Sequence, residues 1–204
     1  MNTSTLPSST LVRKPETVLK QVFGYSEFRD GQKAVIDAAL NGQDTLVLLP
    51  TGGGKSVCYQ IPALVLEGVT IVISPLISLM QDQVAQLQAL GVKAAYVNNS
   101  LAREEQQSVY QQLHQGLIKL LYVAPEKVLQ RDFLERLSHL KISLFAIDEA
   151  HCVSHWGHDF RPHYFRLNEL KQRFAHVPMM ALTATADKAT RFDIVEQLKL
   201  QQPY

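Results

Sequence analysis

Apolar and polar residues alternate along this chain in a regular order. Short apolar runs at 45–49, 69–74, 94–97, 119–123, 143–147 and 178–182 have the length and composition of strands. Between them, apolar residues recur at helical spacing over 30–40, 55–66, 76–90, 101–115, 127–140 and 162–174, and a last helix is predicted over 188–198. Strands and helices alternating at this spacing predict an α/β fold, a mainly parallel sheet with helices on both faces. Pro62 falls inside the second helical stretch and is expected to kink it or to end its first turns. The pattern contains no internal repeat, low-complexity segment or interior linker. Residues 1–13, rich in Ser and Thr, read as a flexible tail. Residues 14–200 read as one domain, with an N-terminal motif over 14–40 and a core over 41–200. Residues 201–204 read as the start of a linker.

Two of the apolar runs end in chemistry. The first, LVLLPTGGGKS over 46–56, breaks from a buried strand into Pro50, Thr51, Gly52, Gly53, Gly54, Lys55 and Ser56. Glycines let backbone N–H groups approach a phosphate with no Cβ in the way. A helix starting near Lys55 turns its free N–H groups and positive dipole end toward the same anion. Lys55 is then placed to bind the β/γ-phosphates and the Ser56 hydroxyl to coordinate Mg²⁺. The full phosphate-loop pattern has glycine where this chain has Leu49, so the match is to a P-T-G-x-G-K-S variant. The second run, LFAIDEAH over 144–151, puts two adjacent carboxylates at a strand end, where parallel sheets hold ligands. Asp148 is placed to bind Mg²⁺, and Glu149 to orient or deprotonate an attacking water. Together the two motifs predict a nucleoside triphosphate site that hydrolyses its ligand.

Composition narrows the class without adding to the chemistry. A chain of 204 residues with 46% hydrophobic residues is long enough to bury a core. No apolar run approaches the length of a membrane-spanning helix. Cys58 and Cys152 lie far apart with no disulfide pattern, which suits a reducing cytoplasm. The net charge of +1 does not announce nucleic-acid binding, so that reading has to rest on particular residues.

Those residues carry a resemblance. PTGGGKS with DEAH resembles the first motor domain of a superfamily 2 helicase or translocase. Further stretches are similar to the RecQ family of DNA helicases: Phe23, Gly24, Tyr25, Phe28, Arg29 and Gln32; SPLISLM with Asp82 and Gln83 over 74–83; Tyr122 to Glu126; ALTATA over 181–186; and the aromatic-rich SHWGHDFRP over 154–162. The resemblance runs from about Lys14 to Leu200. It implies a RecA-like P-loop lobe of an ATP-dependent 3′-to-5′ helicase that uses ATP and Mg²⁺ and acts on single-stranded and forked DNA. It also implies a second RecA-like lobe in the parent protein, which is expected to be a monomer in the cytoplasm, associated with the nucleoid if bacterial.

Within that reading, Tyr25 stacks on adenine, Gln32 pairs with the adenine edge, and Arg29 positions the segment or contacts phosphate. Phe28 reads as a packing aromatic. Trp156, His158, Phe160 and Arg161 form the loop that senses single-stranded DNA, since aromatic and guanidinium planes stack on unpaired bases. A buried aromatic remains the alternative for Trp156. Ser74 contacts the DNA backbone, and Thr183 and Thr185 link hydrolysis to DNA movement, with helix capping as a compatible role. Zinc ligation by His151, Cys152, His155 and His158 is disfavoured, because His151 belongs to the acidic motif and the spacing matches no common finger. His163 reads as a surface or turn residue. Two alternatives stay open: an RNA-directed DEAH motor, and a nucleotide-gated DNA-binding module without turnover.

Overall fold

The computed structural model describes residues 14–154 and 160–204. The tail expected over 1–13 and the loop residues Trp156 and His158 lie outside them. Six parallel strands form one sheet in the order β1-β6-β5-β2-β4-β3. Along the chain, α1 (Pro15–Phe23) and α2 (Gln32–Leu40) precede β1 (Thr45–Leu48) and α3 (Lys55–Val65). Next come β2 (Val69–Ile73), α4 (Ile77–Ala89), β3 (Ala94–Val97), α5 (Arg103–His114) and β4 (Leu120–Val123). After α6 (Pro125–Val128) and α7 (Arg131–Ser138), β5 (Ile142–Ile147) leads into a 3₁₀ turn at Ala150–Val153. Two short helices, α8 (Pro162–Phe165) and α9 (Asn168–Arg173), then β6 (Met179–Thr183) and α10 (Lys188–Leu198), complete the described chain.

The strands are apolar on both sides because both faces are covered. Ile71, Ile73, Leu121, Val123, Phe145 and Ile147 point into one core, with Phe133, Leu137 and Leu170 from the helices. Their sequence neighbours Val72, Leu120, Tyr122, Leu144 and Ala146 point into the other, against Tyr59, Ala63, Met80 and Val84. The period of two sends alternate residues to opposite cores, and a sheet buried twice needs both sets apolar. A third, smaller cluster packs Val18 and Leu19 of α1 against Ile36 and Ile61, with Phe28 against it as expected for a packing aromatic.

Four expectations about the helices change. Helix α1 is additional; Pro15 in its first turn and Gly24 in the left-handed conformation at its end bound it. The single helix expected over 127–140 is two, because Gln130 is extended, its side chain accepting from Lys127 Nζ at 2.9 Å and donating to Asn99 Oδ1 at 3.3 Å. The helix expected over 162–174 is also two. Tyr164, Leu167 and Leu170 are all fully buried, and i→i−3 bonds from Leu167 N to Tyr164 O and from Leu170 N to Leu167 O align them. Three-residue spacing lines up every third side chain, whereas in a 3.6-residue helix each step of three residues drifts by about 60°. Pro62 does not end α3 in its first turns; the helix runs on to Val65, and Leu66 N donates to the Pro62 carbonyl at 2.8 Å. No described helix is long and apolar enough to cross a membrane.

One buried ion pair pins the base of the sheet. The Asp44 carboxylate, 3% exposed, accepts from Lys171 Nζ at 2.7 Å, from Met179 N at 2.8 Å and from Gln201 N at 2.7 Å. It therefore joins the starts of β1 and β6 and the segment after α10. Tyr204 adds to this, donating to Asp44 O and accepting from Leu46 N. Removing one partner of a buried pair leaves a charge with nothing to offset its desolvation. Asp44→Ala is expected to lower the unfolding free energy by about 3–5 kcal/mol, measured by urea denaturation. A loss under about 1 kcal/mol, the range of exposed pairs, would show that this carboxylate does not anchor the sheet.

Candidate nucleotide site and its surroundings

The loop leaving β1 is shaped by its three glycines, each for a stated reason. Gly52 and Gly54 adopt left-handed conformations, with φ of 77° and 80°. A Cβ on Gly53 would sit 2.8 Å from the Pro50 carbonyl oxygen, and one on Gly54 would collide with Gln32 Nε2. Gly53 N donates to Pro50 O at 2.8 Å, closing the turn so that α3 begins at Lys55 with Gly54 as its N-cap. The first amides of a helix have no partner within it and face the space where the loop curls. Lys55 Nζ lies 3.2 Å from the Leu49 carbonyl, at the loop's own mouth.

The segment before α2 braces this loop. Gln32, 3% exposed, accepts from Arg29 N at 2.8 Å and donates to Gly54 O at 3.1 Å. Arg29 Nη1 donates to Gly52 O. Two loop carbonyls are thus turned toward α2, away from the side on which Lys55 stands. An amide has two donors and two lone pairs, so Gln32 retains one of each beyond these bonds. Tyr25 is 52% exposed at the rim of the same cleft. The cleft has a volume of about 390 Å³ and is lined by Tyr25, Arg29, Gln32, residues 51–52 and 54–56, and Asp148 and Glu149.

The acidic pair reaches the cleft at the end of β5, one strand away from β1 across β6. Asp148 N donates to Ile73 O at 2.9 Å, extending the β5 ladder by one residue. Its carbonyl accepts from the buried Tyr164 hydroxyl at 2.9 Å, a support the sequence did not single out. Beyond it Glu149 turns sharply, in the left-handed region at φ 51°, and its N–H donates to Asp148 Oδ1 at 3.0 Å. That conformation is uncommon for a residue with a side chain, and surrounding contacts hold it. Burial, and next the Glu149 charge, push the Asp148 carboxyl up to about 6, against the smaller opposing effects of the Glu149 amide and Lys55.

A hydroxyl then links the acids to the end of β6. His151 Nδ1 lies 3.3 Å from Glu149 Oε2 and 3.0 Å from Thr183 Oγ1. Thr183 gives its only hydroxyl hydrogen to Thr185 O at 3.0 Å, so it accepts from a protonated Nδ1. Thr185 N closes the motif onto Thr183 Oγ1 at 3.3 Å. At the start of α10 the capping side chain is Asp187, which accepts from Thr190 N; the capping role considered for the threonines falls to it.

The residues expected on the DNA side separate. Ser74 is 1% exposed and its hydroxyl makes no hydrogen bond, so it does not face outward as a backbone contact would require. It sits one residue past β2 with its N–H bonded to Val123 O, enclosed by neighbouring strand ends. The outward residues there are Leu76 and Ile77 at the start of α4. Arg161 is half-buried, its N–H donating to Cys152 O and its guanidinium reaching Pro75 O at 3.5 Å, so the end of the aromatic-rich segment meets the start of α4. Phe160 is half-exposed beside it, and His163 is exposed in α8. The loop between, with Trp156 and His158, lies outside the described residues.

The donor set fits a magnesium nucleotide. A glycine cradle that Cβ atoms would fill suits phosphate, and a partly buried carboxylate whose charge is disfavoured by its surroundings suits a neighbouring cation. Ser56 and Asp148, both lining the cleft, are the residues that would hold Mg²⁺.

Comparison with known proteins agrees with this chemistry. The family described as DEAD/DEAH box helicase matches residues 29–192. The chain is 60% identical over 187 residues to the ATP-dependent DNA helicase RecQ of Pasteurella multocida (strain Pm70), covering 92% of this chain and 30% of that protein. It is 57% identical over 195 residues to the protein of the same name from Haemophilus influenzae, covering 95% and 32%. It is 50% identical over 193 residues to the RecQ-like DNA helicase BLM of Xenopus laevis, covering 91% and 14%. The chain thus spans a third or less of the length of these relatives. Among solved structures, the DUF1998 helicase MrfA bound to DNA superposes with a TM-score of 0.73 at 18% identity, covering 95% of this chain and 29% of that one. The Pyrococcus furiosus Hef helicase domain gives 0.64 at 16% identity, covering 90% and 38%. These likenesses show the fold, a RecA-like α/β domain, as the resemblance implies, with the parallel sheet that the strand–helix alternation predicts.

The raised Asp148 carboxyl has a consequence for stability. The fold favours its protonated form, so the stabilisation is full below the ordinary carboxyl range and is lost as pH rises through about 6. At pH 8, without nucleotide or Mg²⁺, Asp148→Asn is expected to be more stable than the parent by roughly 1–3 kcal/mol, at 1.36 kcal/mol per pKa unit less solvent screening. The advantage should vanish near pH 4. Chemical denaturation of both proteins at the two pH values measures it, and equal stability at pH 8 would contradict the burial argument.

Proposed function

Because the chain belongs to the DEAD/DEAH box helicase family, we propose that it is the first motor lobe of a RecQ-type ATP-dependent DNA helicase. The observation that carries this reading is the meeting of Lys55 and Ser56 with Asp148 and Glu149 in one cleft rimmed by Tyr25, Arg29 and Gln32. The domain is proposed to span 14–200, with 201–204, bonded to Asp44 and Leu46 at the base of the sheet, leading on to a second RecA-like lobe. The parent protein is proposed to work as a cytoplasmic monomer, nucleoid-associated if bacterial.

In this reading Lys55 and the first amides of α3 hold the triphosphate, and Tyr25 stacks on the base while Gln32 reads its edge with its remaining donor and lone pair. Mg²⁺, held by Ser56 and Asp148, supplies charge neutralisation on the phosphate oxygens. Glu149 orients the attacking water and takes its proton, with His151 Nδ1 3.3 Å from its Oε2. The second lobe supplies an arginine to the transferring phosphate, an effect of about 10³–10⁵ in rate. Thr183, bonded to His151, and Thr185, bonded to Thr183, relate hydrolysis to movement on DNA. Single-stranded and forked DNA bind along the start of α4 and the segment holding Trp156, His158, Phe160 and Arg161, with translocation 3′-to-5′. The names of the relatives, all DNA helicases at 45–60% identity, favour DNA over the RNA-directed alternative.

Two substitutions in the full-length parent test the site. Lys55→Ala is expected to abolish ATP hydrolysis and unwinding. Glu149→Gln keeps the shape and loses the base, so nucleotide should still bind while turnover falls by about 10²–10⁴, the usual worth of a general base. Fluorescent-nucleotide binding beside phosphate release separates the two effects; a folded Glu149→Gln protein that has lost nucleotide binding would overturn the division of labour between the two acids.

The DNA side has its own test. Trp156→Ala in the same protein is expected to leave hydrolysis without DNA near the parental rate and to cut its stimulation by single-stranded DNA sharply, because base stacking is worth roughly 1–3 kcal/mol per ring. Full stimulation and normal unwinding would return Trp156 to a structural role.

A further inference from the structure

Along the wall of the nucleotide cleft that Tyr59 and half-buried Gln83 line, the polar residues of α3 and α4 meet across an otherwise apolar contact. Cys58, Tyr59 and Ala63 of α3 pack with Met80, Val84 and Leu87 of α4 and with Tyr122 of β4. Within this packing Gln60, 5% exposed, donates its amide to Gln83 Oε1 at 3.1 Å. The same nitrogen lies 3.5 Å from the Tyr122 hydroxyl, which is 3.2 Å from the Tyr59 hydroxyl. The Gln60–Gln83 bond fixes the register of the two helices, since sliding one past the other breaks it, while the tyrosine hydroxyls tie Gln60 and α3 to β4.

The two helices so locked begin at different loops. Helix α3 starts at Lys55 in the phosphate loop. Helix α4 starts at Ile77, beside exposed Leu76 and the Pro75 carbonyl that Arg161 reaches. Both helices follow parallel strands and so start at the same carboxyl edge of the sheet, where α3 carries the phosphate lysine and α4 its outward-facing first residues.

We infer that Gln60 and Gln83 are positioning residues, whose hydrogen bond makes α3 and α4 move as one body and so ties the phosphate loop to the DNA-facing start of α4. The inference rests on the helicase reading above. A merely structural pair would alter folding and turnover alike, whereas a register lock between the two sites governs how strongly DNA accelerates hydrolysis. The direction of the bond gives a specific rescue: Gln83 acts as acceptor, so glutamate at that position keeps the contact and methionine, of similar length, removes it.

The test uses the full-length parent protein, with a poly-dT oligonucleotide as the DNA and phosphate release as the readout. Gln60→Met and Gln83→Met are each expected to lower the ratio of DNA-stimulated to DNA-free turnover about tenfold. DNA-free turnover of Gln60→Met should stay within about twofold. Combining the two substitutions should lower the ratio no further than either alone, because both remove one bond. Gln83→Glu should keep the ratio within about twofold of the parent. Undiminished stimulation in both folded methionine variants overturns the inference, as does an equal loss in Gln83→Glu and Gln83→Met. If Gln60→Met fails to fold, the comparison of glutamate with methionine at position 83 decides it. A parent protein whose turnover does not respond to DNA overturns the helicase reading itself, a result distinguishable from unresponsive variants of a responsive parent.

Discussion

The insertion of β6 between β1 and β5 is the constraint on which the site depends. It sets the phosphate loop and the acidic pair one strand apart at the carboxyl edge, with Thr183 on the strand between them. That strand is bonded to both neighbours: Leu49 N donates to Thr183 O, and the Thr183 hydroxyl lies 3.0 Å from His151 Nδ1 in a hydrogen bond. Had β6 formed at the sheet's outer edge, Lys55 and Glu149 would sit side by side with no threonine between them to register a change at either.

The carboxyl edge is also where this sheet can hold polar residues. Its central strands are buried on both faces, so charge placed within them would be desolvated without a partner. Where each strand ends, buried groups outside the obvious motifs support the exposed chemistry. Tyr164 holds the Asp148 carbonyl, Gln32 and Arg29 hold the loop carbonyls, and the left-handed turn at Glu149 is kept by the bonds on either side of it. The base of the sheet is pinned by a different device, the Asp44 carboxylate shared among β1, β6, α9 and the segment after α10.

Asp148 shows how function and stability part company in such a site. A carboxylate partly buried beside a second carboxylate is a poor choice for folding alone. It becomes a good one when a divalent cation and a triphosphate are to share the cleft, because the same low-polarity surroundings that disfavour its lone charge strengthen its attraction for the metal.

The sequence by itself determined a good deal. Apolar runs separated by helical patterns located all six strands to within a residue or so, and α10 at its observed limits, because a twice-buried sheet leaves little room for polar residues and none for charged ones. The three glycines, Lys55 and the acidic pair identified the cleft, since their backbone needs are local: a positive φ or a close approach shows in the residue type. What only the tertiary structure decided lies in contacts between segments remote in sequence. No periodicity reveals that Tyr164 braces Asp148, that Gln60 meets Gln83, or that Asp44 finds Lys171. The breaks at Gln130 and before Asn168 came from side chains answering to a distant strand end and to a shared core. Ser74 gives the same lesson in reverse. A hydroxyl one residue past a strand looks ready to bind, and the neighbouring strand ends enclose it.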